Sequence, residues 1–228
     1  MPNVTVELNF YYLHYYDART FAKWAKGRAE EAVTPSIYAR HAILSVVFAS
    51  EALINRVLVE FAIGKDVPSN LEKNSILEKW LLAPIVCAEG TDAVPFERGA
   101  EPVQSFKELI QIRNWMAHPK VDNYLPANLD PNSSIAGEQP GEEYPWLEML
   151  KGEAWTQTKV PKNPFEMTHE HAETAIGILD RMVSELDEKL GGKLDSAWLE
   201  RITVKDEAGI HNYRAPVYTI WGGYSGAA

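Results

Sequence analysis

Cysteine is nearly absent from this chain of 228 residues, with Cys87 standing alone. No internal disulfide framework can form, which suits a reducing compartment. Cys87 also lacks a basic neighbour in sequence that would favour its thiolate, so it reads as inert. Positive charge is scarce: Lys and Arg total 22 against 32 Asp and Glu, a formal net charge of −10. Proteins that grip nucleic acid in general carry a basic patch that releases counterions from the phosphate backbone. The acidity therefore argues against that class, although an enzyme touching one or two phosphates needs only a local cation cluster. It would also suit a basic partner. Uninterrupted apolar runs are missing as well. Arg40, His41, Glu51, Asn55, Arg56 and Glu60 break the longest stretch, which reads as no membrane span. No Gly-rich phosphate loop is present. The first residues, Met1 to Glu7, show no basic segment followed by an apolar one. The expectation is a soluble cytoplasmic protein with no membrane partner.

What is present is enough apolar material, 46% of residues, for a proper core. Residues 4–12 alternate well enough to suggest a short N-terminal strand within residues 1–13. Helical periodicity then runs from about Asp17 to Ala32. Thr34-Pro35 resets the chain, and a helix over 36–63 follows, apolar around most of its circumference and so central. Gly64 is its expected stop. A third helix is expected over 72–83, a loop over 87–101, and a fourth helix over 101–118. Residues 121–165 carry six prolines and read as an irregular insertion. Trp146 and Leu147 within it suggest a docked segment. A last helix spans 169–190, capped by Thr168 and stopped by Gly191-Gly192. Residues 201–204 and 213–221 look strand-like, a hairpin that could pair with the N-terminal strand. Residues 191–228 thus form a C-terminal extension whose end frays. The fold class is all-α with small β additions.

The most informative stretch is Arg113-Asn114-Trp115-Met116-Ala117-His118, at the end of the fourth helix and just before Pro119. A guanidinium offers a planar, permanently charged fork to phosphate oxygens. An imidazole exchanges a proton near neutral pH. Together they could run acid–base chemistry on a phosphodiester without a metal. In projection Arg113 falls among Val103, Phe106, Ile110 and Ala117, on an otherwise apolar arc. Such a charge needs a partner. Glu51 is the candidate, or Asn55 on the same face of the central helix could hold the guanidinium, and without the rest of the motif a purely structural Arg113–Glu51 pair outweighs a functional one. His118 lies about 140° from Arg113 on an ideal helix. Pro119 disfavours the α conformation at 118, so His118 can swing out of that projection. A capping histidine is the plainer alternative. Asn114 shares a face with His118 and could orient it.

Arg113, a polar residue after it and His118 four residues further on resemble the Rx4–6H signature of the HEPN domains. The helix order agrees, and Ala49-Ser50-Glu51-Ala52-Leu53-Ile54-Asn55 is similar to the central helix of many such proteins. The resemblance covers residues 14–190 and implies a HEPN-like bundle with a long antiparallel helix pair. It further implies a metal-independent endoribonuclease of toxin or defence type, with its site at a homodimer cleft, no cofactor and no metal. Arg113 would stabilise the scissile phosphate, His118 would serve as acid or base, and Asn114 would position. The RNA substrate would be left with 2′,3′-cyclic phosphate and 5′-hydroxyl ends. A nucleotidyltransferase-like antitoxin is the implied protein partner. Some members of the family are instead non-catalytic modules that bind a nucleotide or a protein. The insertion and the C-terminal strands depart from the minimal pattern.

The remaining signals are weaker. Lys107 and Lys120 could add positive charge for substrate near the motif. His169-Glu170-His171 has the wrong spacing for the paired histidines of a zincin and reads as a capped helix start. Tyr11, Tyr12, Tyr15, Tyr16 and Trp24 read as packing or interface aromatics rather than a base-stacking platform.

Overall fold

The computed structural model describes residues 5–31, 33–64, 67–88, 93–118, 153–206 and 209–214. The chain is mainly helical, with a small sheet that joins its two ends. A strand, β1 (Thr5–Glu7), leads into helix α1 (Phe10–Gly27). Helix α1 therefore starts well before Asp17 and ends before Ala32. Two local causes override the β tendency of its aromatic first turns. Asn9 caps the helix by accepting from the Tyr12 N–H at 3.1 Å. Three successive i,i+4 ring pairs then stack along it: Phe10–His14, Tyr11–Tyr15 and Tyr12–Tyr16, at 6.3, 5.6 and 6.4 Å. Such ring pairs support a helix and not an alternating strand.

Helix α2 (Thr34–Phe61) is the centre of the bundle. Pro35 sits in its first turn, but Val33 rather than Thr34 is the cap residue. The helix ends two residues early, at Phe61 with Ala62 as its cap, and Gly64 follows with a φ of 111°. Its buried residues run from Ser36 to Leu58, and α1 packs along it most extensively. Ala18, Ala22 and Ala25 of α1 and Ala39 and Ala42 of α2 are all buried, and small side chains let helix axes approach closely. By length and composition α2 could cross a membrane, but 61% of that window is buried inside the protein.

A short helix, α3 (Val67–Leu71), precedes α4 (Ile76–Cys87), which begins four residues later than the periodicity suggests. Ser75 sets that start through a capping box: the Ser75 N–H donates to Glu78 Oε2 at 2.8 Å, and Ser75 Oγ accepts from the Glu78 N–H at 3.3 Å. Trp80 is fully buried and donates from Nε1 to the Ser50 carbonyl at 3.2 Å. It meets Phe106 edge-on at 5.4 Å. Through Trp80, α4 is joined to both α2 and α5 (Val103–Ala117).

Residues 153–168 form a turn of backbone bonds with an Ala154–Pro161 bridge and a 3-10 turn at Pro164–Glu166. Glu108 of α5, 8% exposed, pins this segment by accepting from the Gln157 N–H at 3.0 Å and the Thr158 N–H at 2.6 Å. Trp146 and Leu147, expected to dock, lie with the stretch 119–152 outside the described residues.

Helix α6 (His169–Lys189) starts and stops as the sequence suggests. The Thr168 N–H donates to His171 Nδ1 at 2.9 Å, so this His-Glu-His is a helix start. At the other end Gly191 and Gly192 take φ of 71° and 81°, and the Gly192 N–H reaches the Asp187 carbonyl at 2.9 Å. A turn of helix, α7 (Ser196–Leu199), leads to β2 (Arg201–Asp206) and β3 (Gly209–Arg214). All pairing is antiparallel in the order β1-β2-β3, with Val6 opposite Val204 and Ile202 opposite Tyr213. The N-terminal strand thus does join the hairpin. Strand β3 is earlier than 213–221, and the final residues lie outside those described. Asn9 and Glu60 weld this sheet to the bundle. Asn9 Nδ2 donates to the Leu199 carbonyl at 2.5 Å. Glu60 accepts from Trp198 Nε1 at 2.7 Å, Arg201 Nη2 at 2.5 Å and Arg56 Nε at 3.0 Å.

Candidate functional site

The buried face of α5 is Val103, Ser105, Phe106, Glu108, Leu109 and Ile112. It centres on Leu109, so Ile110 is only half-buried and Ala117 is exposed as the helix leaves the core. Arg113 lies one turn after Leu109, at the edge of that face. Its side chain is 17% exposed, and Nη2 donates to Glu51 Oε2 of α2 at 3.3 Å. The guanidinium also sits 5.8 Å from the ring centre of Phe48. Its Nε is buried with no hydrogen-bond partner among the described residues. Among the described residues Arg113 is thus held at one point and not by a two-pronged fork, and Nε has no partner.

The Glu51 pairing expected from sequence is present. The Asn55 pairing is not: Asn55 Oδ1 accepts from Lys79 Nζ of α4 at 2.9 Å. Lys79 is 5% exposed, and a buried ammonium claims the nearest oxygen that can satisfy it. Phe48, which the sequence places in the core, is 41% exposed.

His118 caps α5 with φ −130° and ψ 63°, outside the helical region as Pro119 requires. Its backbone N–H still closes the last turn onto the Asn114 carbonyl at 2.9 Å. Both side chains, Asn114 and His118, are exposed. Lys107, Gln111 and Asn114 are all exposed and, at about 100° per residue, fall in one row along α5, with the exposed His118 just past its end. Arg113 faces α2 instead. Among the described residues the contacts of Arg113 are to Glu51 and Phe48, and none joins it to His118. Lys120 lies outside the described residues.

The sequence reading missed a groove beside this pair. Helix α2 presents Phe48, Glu51, Asn55 and Arg56, and the first turns of α1 present Phe10 and His14, around a space of about 490 Å³. His14 stacks on Phe10 at 6.3 Å and tilts against Phe48 at 5.7 Å. Phe48 is therefore shared between the imidazole of His14 and the guanidinium of Arg113. The rim is apolar and open: Leu8, Phe10 and Val59 are 53%, 56% and 70% exposed. The signal for His14 was the i,i+4 spacing from Phe10, hidden by treating this stretch as a strand.

Burial alone would raise the Glu60 carboxyl, but hydrogen bonds from Arg201, Trp198 and Arg56 hold it below the usual range. Burial pushes the Cys87 thiol up to about 11, so this cysteine stays protonated and unreactive. His171 is lowered by burial, in keeping with a neutral ring that accepts at a helix start. Among the described residues no group of three or more His, Cys, Asp or Glu side chains is placed to hold a metal ion. No family model matches this chain, and no curated protein or solved structure matches it.

Proposed function

We propose that this chain is a HEPN-like, metal-independent endoribonuclease of toxin or defence type, acting in the cytoplasm as a homodimer. The observation that carries the reading is Arg113 itself. It is a mostly buried guanidinium, tethered by one hydrogen bond to Glu51, with Nε unpaired and a helix-terminal histidine five residues on. Arg113 stabilises the charge that builds on the phosphate as the ribose 2′-oxygen attacks. His118 takes the 2′-hydroxyl proton or returns one to the leaving 5′-oxygen. Asn114 positions the substrate or His118, and Lys107 and Lys120 draw in the flanking phosphates. A two-fold pairing with the motif helices facing each other supplies a second His118 to each Arg113, which one protomer does not do. A nucleotidyltransferase-like antitoxin is the matching partner.

A second reading is a non-catalytic module that binds a nucleotide or a protein. The absence of any contact between Arg113 and His118 among the described residues and the net charge of −10 favour it. The test is incubation of the purified protein with total RNA, followed by end-mapping. The proposed chemistry gives 2′,3′-cyclic phosphate and 5′-hydroxyl ends, persists in EDTA, and is lost in His118→Ala with the fold intact. Arg113→Lys also fails, because an ammonium does not reproduce the planar fork. Cleavage that requires Mg²⁺ or survives His118→Ala refutes the mechanism. A concentration-independent monomer by light scattering refutes the dimer.

A further inference from the structure

Strand cleavage by 2′-oxygen attack moves two protons. The bond from O2′ to phosphorus forms as the 2′-hydroxyl proton leaves to a base. The bond from phosphorus to O5′ breaks as that oxygen takes a proton from an acid. No water is consumed and no electron changes hands. Arg113 can do neither task, because a guanidinium does not give up its proton at working pH. The reaction therefore asks for imidazoles on the side of Arg113 that faces substrate.

Of the described histidines, His118 is exposed at the end of α5 and makes no contact with Arg113, and His169 at the start of α6 and His211 on β3 do not line the groove. His171 Nδ1 is taken by the Thr168 cap, and His41 packs against Phe21 at 5.4 Å. His14 differs from all of these. Its ring is set by Phe10 on one side and Phe48 on another, and Phe48 is the ring that the Arg113 guanidinium also meets. His14 lines the same groove as Glu51, the residue that holds Arg113. The groove, about 490 Å³, has room for a nucleotide unit. The packing that orients the ring is aromatic, so it fixes direction without using a ring nitrogen.

We infer that His14 is a catalytic residue of this site, supplying one of the two proton transfers in RNA cleavage while His118 supplies the other. The inference rests on the ribonuclease reading and adds to it a residue that lies outside the Arg113–His118 motif. Among the described residues the other charged and titratable groups around the groove are Glu51, Arg56 and Glu60 from α2 and Tyr11 from α1, with Arg113 of α5 beyond Glu51. None of them replaces an imidazole as a proton carrier near neutral pH.

The experiment compares wild type, His14→Ala and His14→Gln on one defined single-stranded RNA across pH 5 to 9, with melting curves for each. A positioned acid or base contributes on the order of 100-fold or more. Both variants are expected to lose about that factor in kcat, to lose one limb of the pH–rate profile, and to keep a cooperative melt. The glutamine variant fills the space between Phe10 and Phe48, so it carries the test if the alanine variant does not fold. Added imidazole is expected to restore part of the rate in His14→Ala. Wild-type cleavage with an unchanged profile and kcat within a few-fold in His14→Gln overturns the role of His14 and leaves the ribonuclease reading standing. No cleavage by wild type on any RNA overturns both.

Discussion

Replacing Glu51 with alanine isolates the contact on which the site depends. The Glu51 side chain is 40% exposed and Arg113 is 17% exposed, with a single N–H···O bond of 3.3 Å between them. A fully exposed pair of this kind contributes about 0.2–1 kcal/mol. Here the partner left behind is mostly buried and already has one unpaired nitrogen, which raises the cost. Allowing for solvent reaching Glu51, the expected loss is about 1–2 kcal/mol, or roughly 2–8 °C in melting temperature for a chain of this size. A double-mutant cycle with Arg113→Ala separates the pair from the packing of Arg113 on Phe48 and is expected to show a coupling of about 0.5–1 kcal/mol. The functional arm runs in parallel. If Glu51 orients Arg113 toward substrate, Glu51→Gln lowers cleavage. If Glu51 merely occupies the guanidinium, the same change raises it. A melting temperature unchanged within about 1 °C, together with zero coupling, would show that the pair does not hold Arg113 at all.

Two further outcomes follow from buried groups. Burial would raise the Glu108 carboxyl, but the Thr158 and Gln157 N–H groups hold it below the usual range. Its contribution is therefore present above the ordinary carboxyl value, about 4.3, and is lost as pH falls through the lower folded value. Urea titrations are expected to show Glu108→Gln costing about 1–3 kcal/mol near pH 7 and much less once Glu108 is protonated; an equal cost at both ends would reject the clamp. Cys87 is fully buried with its thiol pushed up to about 11, so an aromatic disulfide reagent at pH 8 should label it only on unfolding. Labelling at the rate of a free thiol would refute the packing of α4 on α2.

The bundle was legible wherever a long apolar period met a clear stop. Helix α6 carries both, with Thr168 at one end and two glycines at the other, and its bounds agree with expectation. Helix α1 was not legible at its start. Phe10 to Tyr12 read as the end of a strand over 4–12, and the deciding terms are one cap from Asn9 and ring pairs at i,i+4, which alternation does not capture. Helix α4 was started too early because Glu72 and Lys73 suit a helix, whereas the capping box at Ser75 sets the start at Ile76. At the site, the Arg113–Glu51 pair could be found because a charge on an apolar arc demands a counter-charge. The Asn55 assignment failed because the same argument applied to Lys79, which a sequence leaves indistinguishable from a solvated lysine. His14 was invisible for a further reason: its neighbours are rings, and only its three-dimensional setting separates it from a surface residue.

These pairings share a cause in the construction of α2. A helix covered on most sides has few places for polar groups, and each one must be answered by a neighbour. Along its partly open strip, Phe48, Glu51, Asn55 and Val59 recur at helical spacing. The two polar members are each met by a cation from a different helix: Glu51 by Arg113 of α5, and Asn55 by Lys79 of α4. Each contact sets the register of its helix against α2, because shifting either helix by one turn would strand a buried cation. The same strip forms one wall of the groove that holds His14. Arg113 therefore cannot move far toward substrate without breaking the register of α5. On the ribonuclease reading, substrate would have to come to it, over Phe48 and past Glu51, along the side that the first turns of α1 leave open.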